Sequence, residues 1–227
     1  QGIVNIGLIG AGNFAQGTLL PALKPTGSVR LHTVVTASGL SAKSVARRFS
    51  FRVAASDPSA IFEAPDIHAV VIATRHDSHA QLVQRALRAG KHVFVEKPLA
   101  IHLEQVEEIR ETYQEVIQRC NGQPPILMVG FNRRFAPATQ KAKEFFAGIN
   151  EPLSVLIRIN AGYLPPEHWL HDPDVGGGRI LGEGCHFVDL LIYLAGAEPV
   201  EVYAQALPDD GRYRQDNVAV HIRFANG

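Results

Sequence analysis

Short apolar runs alternate with amphipathic stretches over the first 131 residues of the chain. The runs are rich in valine and isoleucine, as in strands that are buried on both faces. They lie at Val4–Ile9, Arg30–Thr36, His68–Thr74, His92–Val95 and Ile126–Phe131. The stretches between them carry apolar residues at helical spacing. Strands separated by helices in this way predict βαβ units and a parallel sheet.

Capping signals place the helices of this first part. Ser41 and Asp57 are predicted N-caps of two helices, because their side chains can accept hydrogen bonds from the first backbone amides. Ser78 is the predicted N-cap of a third helix, and Gly90 lies just beyond its end, where the chain usually turns left-handed. Residues 103–119 form a longer amphipathic helix.

The pattern changes after Arg134. We predict a helix over Pro137–Phe146, an alternating strand over Leu153–Asn160, a helix over Ile180–Leu194, and strands over Val200–Ala206 and Val218–Phe224. The whole pattern predicts an α/β protein with two domains. Residues 1–132 form a Rossmann doubly wound parallel sheet. Residues 133–227 form an α+β domain with a largely antiparallel sheet, which we expect to be incomplete at its C-terminus.

Composition and charge exclude several classes of partner. The chain has 22 basic and 22 acidic residues and a formal net charge of zero, so nothing favours nucleic acid or an anionic membrane. No apolar run approaches the roughly 20 residues that cross a bilayer. The cysteines, Cys120 and Cys185, lie in different segments and suggest no disulfide framework. We therefore expect a cytoplasmic protein that acts on a small molecule.

A glycine-rich motif follows the first predicted strand. The segment from Gly10 to Ala15 matches G-x-G-x-x-G/A, and it opens a helix through Asn13 and Phe14. Gly10 permits a tight turn, Gly12 lets the backbone approach a pyrophosphate, and Ala15 allows close packing of helix on strand. The context favours a dinucleotide cofactor over an ordinary glycine-rich turn.

The end of the second predicted strand bears on which cofactor is bound. A carboxylate there normally holds the adenosine ribose, but Thr36 and Ser38 are the polar residues at this position. Ser38, Ser41 and Lys43 can accommodate a 2′-phosphate, which favours NADP slightly over NAD. The alternative is that they are turn and cap residues only.

The tripeptide Glu96-Lys97-Pro98 directly follows the strand His92–Val95. It therefore lies at the carboxyl edge of the predicted parallel sheet, where open α/β sheets bind their ligands. This position makes Lys97 a candidate catalytic residue. The alternative is an exposed lysine at the end of a strand, which is the usual environment of lysine.

Several motifs together resemble one family. They are the glycine fingerprint, then Ala73-Thr74-Arg75-His76 with His79, then Glu96-Lys97-Pro98. In this order they resemble the glucose–fructose oxidoreductase/inositol dehydrogenase family (Gfo/Idh/MocA). The segment from Gly176 to Asp189 is similar to that family's G-G-G-x-x-x-D-x-G-x-H-x-x-D segment, and its variant resembles a subgroup fused behind a zinc-alcohol-dehydrogenase-like module.

The resemblance implies an activity. Members are NAD(P)-dependent oxidoreductases that transfer hydride between nicotinamide and a hydroxyl-bearing carbon of a sugar, nucleotide sugar or cyclitol. It also implies that Lys97 contacts the substrate hydroxyl and the cofactor ribose, and that His186 is the acid/base, since histidine titrates near neutrality. The family's aspartate four residues before this histidine is replaced by Gly182. Glu183, three residues before His186, is expected either to orient His186 or to bind substrate, although it points about 100° away from residue 182 on a regular helix.

Further contacts are implied more loosely. Five residues are expected to contact the cofactor from the loops that follow the strands His68–Thr74 and His92–Val95. They are Thr74, Arg75, His76, His79 and Glu96. In the loop over residues 162–178, Trp169 is expected against the nicotinamide, while Tyr163 and His171 are expected to line the substrate site. His168, His171 and His186 lack a defined fourth ligand, so no metal is expected.

Two other functions stay open at this point. One is a catalytically silent dinucleotide-binding module of a larger fusion protein, which the replacement of the aspartate by Gly182 favours. The other is an amino-acid-pathway dehydrogenase, which shares the first domain but not the pairing of Glu-Lys-Pro with the later Gly-Gly-Gly…His segment. The antiparallel sheet of the second domain is the expected surface for homo-oligomers.

Overall fold

The chain divides into two compact units, Gln1–Gly130 and Phe131–Gly227. The computed structural model describes residues 2–23, 27–120, 122–149, 151–208 and 216–227. Each unit is built around its own sheet. Across these ranges, no helix is both long enough and apolar enough to cross a membrane.

The first unit contains a six-stranded parallel sheet. Its strands are β1 (Val4–Ile9), β2 (Val29–Val35), β3 (Val53–Ala55), β4 (Ala69–Ile72), β5 (His92–Val95) and β6 (Leu127–Val129). Their order is β3-β2-β1-β4-β5-β6, and all neighbouring pairs are parallel. The direction of winding reverses between β1 and β4, which is the point where ligands bind in such sheets. The predicted doubly wound fold is confirmed.

Helices connect these strands. A π-helical turn, Ala15–Leu19, leads into α1 (Leu20–Leu23), and it is followed by α2 (Gly39–Phe49), α3 (Ser59–Phe62), α4 (His79–Arg88) and α5 (Leu103–Arg119). The prediction that Ser41 caps a helix was wrong, because α2 begins at Gly39 and Ser38 precedes it. The short strand β3 was not predicted, since three residues carry almost no periodic signal.

Of the predicted caps Asp57 and Ser78, only Asp57 accepts a hydrogen bond from a backbone amide of its helix. The Asp57 carboxylate accepts a hydrogen bond from the backbone amide of Ser59 at 2.8 Å, which lowers the pKa of Asp57. Ser78 precedes α4 as predicted, but its hydroxyl donates to the Thr74 hydroxyl at 2.6 Å and does not cap the helix. Gly90, just beyond α4, has a φ of 70°, as its position predicts.

The core of the first unit lies on both faces of the sheet. Consecutive residues of a strand point to opposite faces. Accordingly, Val70 and Ile72 of β4 belong to one apolar cluster with the buried side of α4, whereas Val71 belongs to a second cluster with Leu8 and Val34. The two clusters fix the sheet between its layers of helices and hold its carboxyl edge in place.

Lys91 is a buried charge at the opposite, amino-terminal edge of this sheet. It is 7% exposed, and its ammonium group donates to the carbonyl oxygens of Ala64 at 2.6 Å and Ile67 at 2.8 Å. Burial lowers its pKa, and the charge of Asp66 partly opposes this shift. The side chain thus ties the start of β5 to the loop that leads into β4.

We predict that Lys91→Met destabilises the protein by about 1–3 kcal/mol, because it removes a charged donor from two carbonyl oxygens in the interior. Urea denaturation monitored by circular dichroism measures the change. Lys141→Met, at an exposed position of the second unit, is the control and should leave the midpoint unchanged. Equal midpoints for the two variants would contradict the assigned role of Lys91.

The second unit combines helices with a small sheet. Its helices are α6 (Pro137–Phe146) and α7 (Cys185–Ala195), with a π-helical turn at Ile180–Gly184 directly before α7 and 3₁₀ turns at Asn132–Phe135 and Trp169–His171. Strands β7 (Pro199–Ala206) and β8 (Val218–Phe224) pair antiparallel. The single helix predicted over residues 180–194 therefore begins with a wider turn.

The strand predicted over Leu153–Asn160 is absent, and the segment is irregular. Its alternating pattern is real, but a strand exists only where a neighbour completes its hydrogen bonds. Among the described strands of this unit, β7 and β8 pair with each other. Leu156 is 93% exposed, so the pattern does not bury an apolar face here.

A charged pair secures the first turn of the second unit to α7. The guanidinium of Arg134 donates from Nε to one carboxylate oxygen of Asp189 at 3.0 Å and from Nη2 to the other. Asp189 is buried, and the pairing raises the pKa of Arg134. The guanidinium also lies 5.5 Å from the ring centroid of Tyr193. Such two-point contacts fix orientation as well as distance.

Candidate functional site

The glycine fingerprint forms a tight turn at the carboxyl edge of the first sheet. Gly10 has a φ of 85°, and a Cβ atom placed there would lie 2.5 Å from the carbonyl oxygen of Ala73. Its amide donates to the carbonyl of Val35 at 2.9 Å. The turn is thus held between the ends of β2 and β4, and only glycine meets both the conformational and the steric requirement.

Gly12 faces open space. No described heavy atom lies within 4 Å of a Cβ atom built at Gly12, apart from its immediate chain and helix neighbours. The helix begins at Asn13, so its first amides are available at this position, while Ala15 is buried against the sheet. Open space before free amides at a helix N-terminus suits an anionic group such as a pyrophosphate. The residues present therefore fit a dinucleotide.

The loop after β2 carries hydroxyl groups. The Thr36 hydroxyl donates to the carbonyl of Ser38 at 2.7 Å, which closes the turn into α2. Ser38 and Lys43 are exposed. Residues 36–38 contain no carboxylate, so nothing in this turn repels a 2′-phosphate.

The loop after β4 is braced by its own side chains. The Ser78 hydroxyl bonds to the Thr74 hydroxyl and to the carbonyl of Arg75. Arg75 is exposed, whereas His76 is buried and its ring centroid lies 5.8 Å from that of His79. Of these predicted cofactor residues, Thr74 and Arg75 lie at the surface of the sheet edge, and the two histidines lie beneath it.

The Glu96-Lys97-Pro98 turn follows β5 at the same edge. The Glu96 amide donates to the carbonyl of Ile72 at 2.9 Å, and the Lys97–Pro98 peptide bond is cis. Lys97 is half-buried. The structure therefore places Lys97 at the sheet edge that carries the fingerprint, on the strand next to β4.

Glu96 is a carboxylate in a confined space. Burial raises its pKa, and the adjacent positive charge and backbone amide of Lys97 oppose the shift. A Cβ atom at Gly130 would lie 2.9 Å from Glu96 Oε1, so the missing side chain at Gly130 makes room for this carboxylate. Sequence reasoning did not identify Gly130, because nothing local links it to Glu96.

His186 and Glu183 lie at the start of α7 in the second unit. His186 is half-buried on the first turn of α7, with its ring centroid 6.3 Å from that of Phe131. Glu183 lies in the π-helical turn, where the Cys185 amide donates to the carbonyl of Ile180, five residues earlier. Such turns occur frequently at functional sites. They also change the angle between Glu183 and His186 that a regular helix would give.

Arg179 engages Glu183 and was missed by sequence reasoning. Its guanidinium lies 3.3 Å from the Glu183 carboxylate and 3.4 Å from that of Asp216, and it donates to the carbonyl of Gly162 at 2.7 Å. The side chains of Arg179 and Asp216 are only 11% and 10% exposed. The i,i+4 spacing of Arg179 and Glu183 was the available signal.

The remaining predicted residues lie in the loop before the π-helical turn. Trp169 and His171 belong to one 3₁₀ turn, in which the His168 ring accepts a bond from the Leu170 amide at 3.2 Å. Tyr163 is exposed. A Cβ atom at Gly176 would lie 2.4 Å from the Leu170 backbone, so this glycine lets the loop close on itself. Within the described ranges, no cluster of histidine, cysteine and acidic residues is arranged to hold a metal ion.

The sheet order, the fingerprint turn and the open space at Gly12 define a dinucleotide-binding Rossmann domain. Comparison with known families agrees. Residues 4–121 match the family model described as "Oxidoreductase family, NAD-binding Rossmann fold", and residues 140–227 match the "GFO/IDH/MocA C-terminal domain". The chain belongs to this oxidoreductase family, which confirms the resemblance seen in the sequence.

Characterised relatives are polyol and sugar dehydrogenases by name. The chain is 34% identical to an inositol 2-dehydrogenase of Rhizobium meliloti, over 99% of the chain and 66% of that protein. It is 31% identical to a levoglucosan dehydrogenase of Pseudarthrobacter phenanthrenivorans, over 85% of the chain and 51% of that protein. The chain thus spans between half and two thirds of the length of these relatives.

Solved structures share the fold. A levoglucosan dehydrogenase in complex with NADH is 28% identical, with a TM-score of 0.76 over 99% of this chain and 64% of that one. An NAD-binding protein from Listeria innocua is 26% identical, with a TM-score of 0.81 over 99% and 64%. The fold therefore occurs with a nicotinamide dinucleotide bound in one of these relatives.

We predict that Glu96→Gln stabilises the protein at neutral pH. The folded-state pKa of Glu96 lies above its ordinary value of 4.5, so the folded state binds more protons, and stability falls as pH rises from 4.5 through the folded pKa. Glutamine removes this loss. Calorimetry should show a higher Tm for Glu96→Gln at neutral pH.

The difference in Tm between Glu96→Gln and the wild type should shrink below pH 4.5, where Glu96 is protonated in both the folded and the unfolded chain. Glu201→Gln is the control. Because Glu201 is exposed, this variant should show no gain in Tm that depends on burial of a charge. A gain in Tm that is independent of pH would show that burial of the charge is not its cause.

Proposed function

We propose that this chain is part of an NAD(P)-dependent oxidoreductase that transfers hydride between nicotinamide and a hydroxyl-bearing carbon of a sugar, nucleotide sugar or cyclitol. One observation carries the proposal. The fingerprint turn, with open space at Gly12, and the half-buried Lys97 stand at the same carboxyl edge of one sheet. The names of the family's characterised members support the substrate class.

The cofactor is held by the fingerprint turn and the neighbouring loops. The first helical amides at Asn13 and Phe14 meet the pyrophosphate, and Thr74 and Arg75 contact it from the loop after β4. NAD(H) is supported by the family description. We propose that NADP(H) binds as well, with a slight preference, because Ser38 and Lys43 are exposed beside a turn without a carboxylate.

The chemistry divides between a hydride and a proton. A bound nicotinamide would supply the hydride acceptor. Lys97 polarises the reacting oxygen through its positive charge. His186 accepts the hydroxyl proton as general base. The Glu96 carboxylate lies beside this charge, since the charge of Lys97 lowers the pKa of Glu96 against the effect of burial.

Residues of the second unit are also proposed to have functional roles. Glu183 supports His186 only indirectly, because its carboxylate is held by Arg179. Trp169 is proposed to contact the nicotinamide, and Tyr163 and His171 the substrate. Copies of the chain are proposed to associate through the β7–β8 sheet, whose strand β7 is exposed along its whole length.

A catalytically silent module is the second candidate. The family's aspartate is replaced by Gly182, and the nearest carboxylate, Glu183, is engaged by Arg179. Such a module would bind the dinucleotide without turning over any polyol. The amino-acid-pathway alternative is disfavoured, because the relatives reported above are named for inositol and levoglucosan.

We predict that Gly12→Ala weakens NADH binding about tenfold, or about 1.4 kcal/mol, because its methyl group occupies the open space proposed for the pyrophosphate. The variant should unfold at the wild-type temperature, because the methyl group meets no described atom. Fluorescence titration with NADH and NADPH measures binding.

Gly10→Ala is the matched comparison for Gly12→Ala. It combines a φ of 85° with a backbone clash at Ala73, so it should lower the free energy of unfolding by more than about 1 kcal/mol. If Gly12→Ala bound NADH as tightly as the wild type, the proposed cofactor site would be wrong.

We predict that Lys97→Met lowers kcat by about 10²- to 10³-fold, the range expected for loss of a group that stabilises charge on the reacting oxygen. NADH formation over a panel of inositols, anhydrosugars and nucleotide sugars measures it. NADH affinity is the internal control and should change much less. A wild type that binds NADH but turns over no member of the panel would favour the silent module.

A further inference from the structure

The imidazole of His79 links the loops that follow β4 and β5. Its Nδ1 lies 2.7 Å from the carbonyl oxygen of Pro98, and its Nε2 lies 3.3 Å from the carbonyl oxygen of Thr74. His79 is the first residue of α4, and its exposure is 0%. A side chain buried to this extent touches both loops from beneath, on the side away from solvent.

This burial changes the role expected from the sequence, where His79 is predicted to contact the cofactor. In the described structure its ring has no accessible surface, and both nitrogens face backbone carbonyls of the loops. Any effect of His79 on the reaction therefore acts through the residues that these loops carry. On the β5 side, that residue is Lys97.

Lys97 lies between two backbone anchor points. On one side, the Glu96 amide donates to the carbonyl of Ile72 in β4. On the other side, the Pro98 carbonyl meets His79, and proline has no amide with which to form a further backbone bond. The first anchor belongs to the edge of the sheet, whereas the second depends on one side chain.

The protonation state of His79 determines which of its two ring nitrogens donates a hydrogen bond. Burial lowers its pKa, which outweighs the opposing effects of the Pro98 and Thr74 carbonyls and of Asp77, while Lys97 lowers it further. A neutral ring has one N–H, and the shorter contact places it on Nδ1, donating to Pro98. In this tautomer Nε2 carries no proton and forms no hydrogen bond with the carbonyl oxygen of Thr74, 3.3 Å away.

We propose that His79 is a positioning residue for Lys97, because its Nδ1–H bond to Pro98 fixes one end of the Glu96-Lys97-Pro98 turn from within the core. The inference rests on the proposed function of Lys97. Loss of the bond between His79 and Pro98 should therefore displace Lys97 and lower turnover, while the cofactor-binding fingerprint is unaffected. A misplacement of about 1 Å can reduce a rate by about 10²-fold.

Three variants test the proposal. His79→Leu fills the site without a donor, and His79→Asn retains an amide donor close to the position of Nδ1. Val83→Ala is the control for stability, because Val83 is also fully buried in α4, one turn further on, but bonds neither loop. His79→Leu should lower kcat by about 10- to 100-fold with NADH affinity retained. His79→Asn should restore most of that loss.

A second readout does not depend on turnover. Lysines are reductively methylated with ¹³C-formaldehyde, and the Lys97 resonance is identified from its absence in Lys97→Met. His79→Leu should shift or broaden this resonance, whereas His79→Asn and Val83→Ala should leave it as in the wild type. If the protein binds NADH without turnover, the proposed function fails, yet this resonance still tests the positioning role.

Two results would overturn the inference. One is an equal loss of kcat in His79→Leu and Val83→Ala, which would reduce the role of His79 to stability. The other is an unchanged Lys97 resonance in His79→Leu, which would show that the turn keeps its place without the bond to Pro98.

Discussion

The close approach of two backbone segments at the carboxyl edge of the first sheet determines the rest of this site. Parallel pairing sets Ile9 beside Ile72, so β1 and β4 end at the same level. The segments that follow the two strands therefore lie in close contact. Gly10 makes this possible by presenting no side chain to Ala73. The fingerprint helix can then begin at the sheet edge, and the loop after β4 continues to Thr74 and to His79 below it. Through His79 the same arrangement reaches Pro98, so the glycine turn and the lysine turn belong to one connected framework.

Local sequence signals predicted this framework well. Five strands, the fingerprint and the Glu-Lys-Pro turn follow from periodicity and glycine spacing, which are properties of neighbouring residues. Features that depend on distant residues were missed. Arg179 and Asp216 are 37 positions apart, and their pairing arises only when the loop and β8 come together. The space that Gly130 leaves for Glu96 depends on β5 lying beside β6. The strand expected at Leu153–Asn160 failed for the same reason, since its pattern says nothing about whether a neighbour is present.

The two units differ in how they use charge. In the first unit, the buried Lys91 donates to backbone carbonyls, and the half-buried Glu96 lies beside Lys97 in the space left by Gly130. In the second unit, charges pair with each other. Arg134 holds Asp189, and Arg179 lies between Glu183 and Asp216. Pairing of this kind orients helices and loops but also occupies carboxylates that could otherwise serve a substrate. Glu183 is the clearest case, because the residue expected to replace the family's aspartate is already bound to Arg179.

The π-helical turn at Ile180–Gly184 affects which side chains lie on the same helix face as His186. Its bond from Cys185 to Ile180 accommodates one residue more than a regular helical turn would. Deleting a single residue there would restore the usual ladder and rotate everything upstream by about 100° relative to His186, since an α-helix has 3.6 residues per turn. One insertion or deletion can therefore exchange which side chain shares a face with the histidine, without touching the histidine itself.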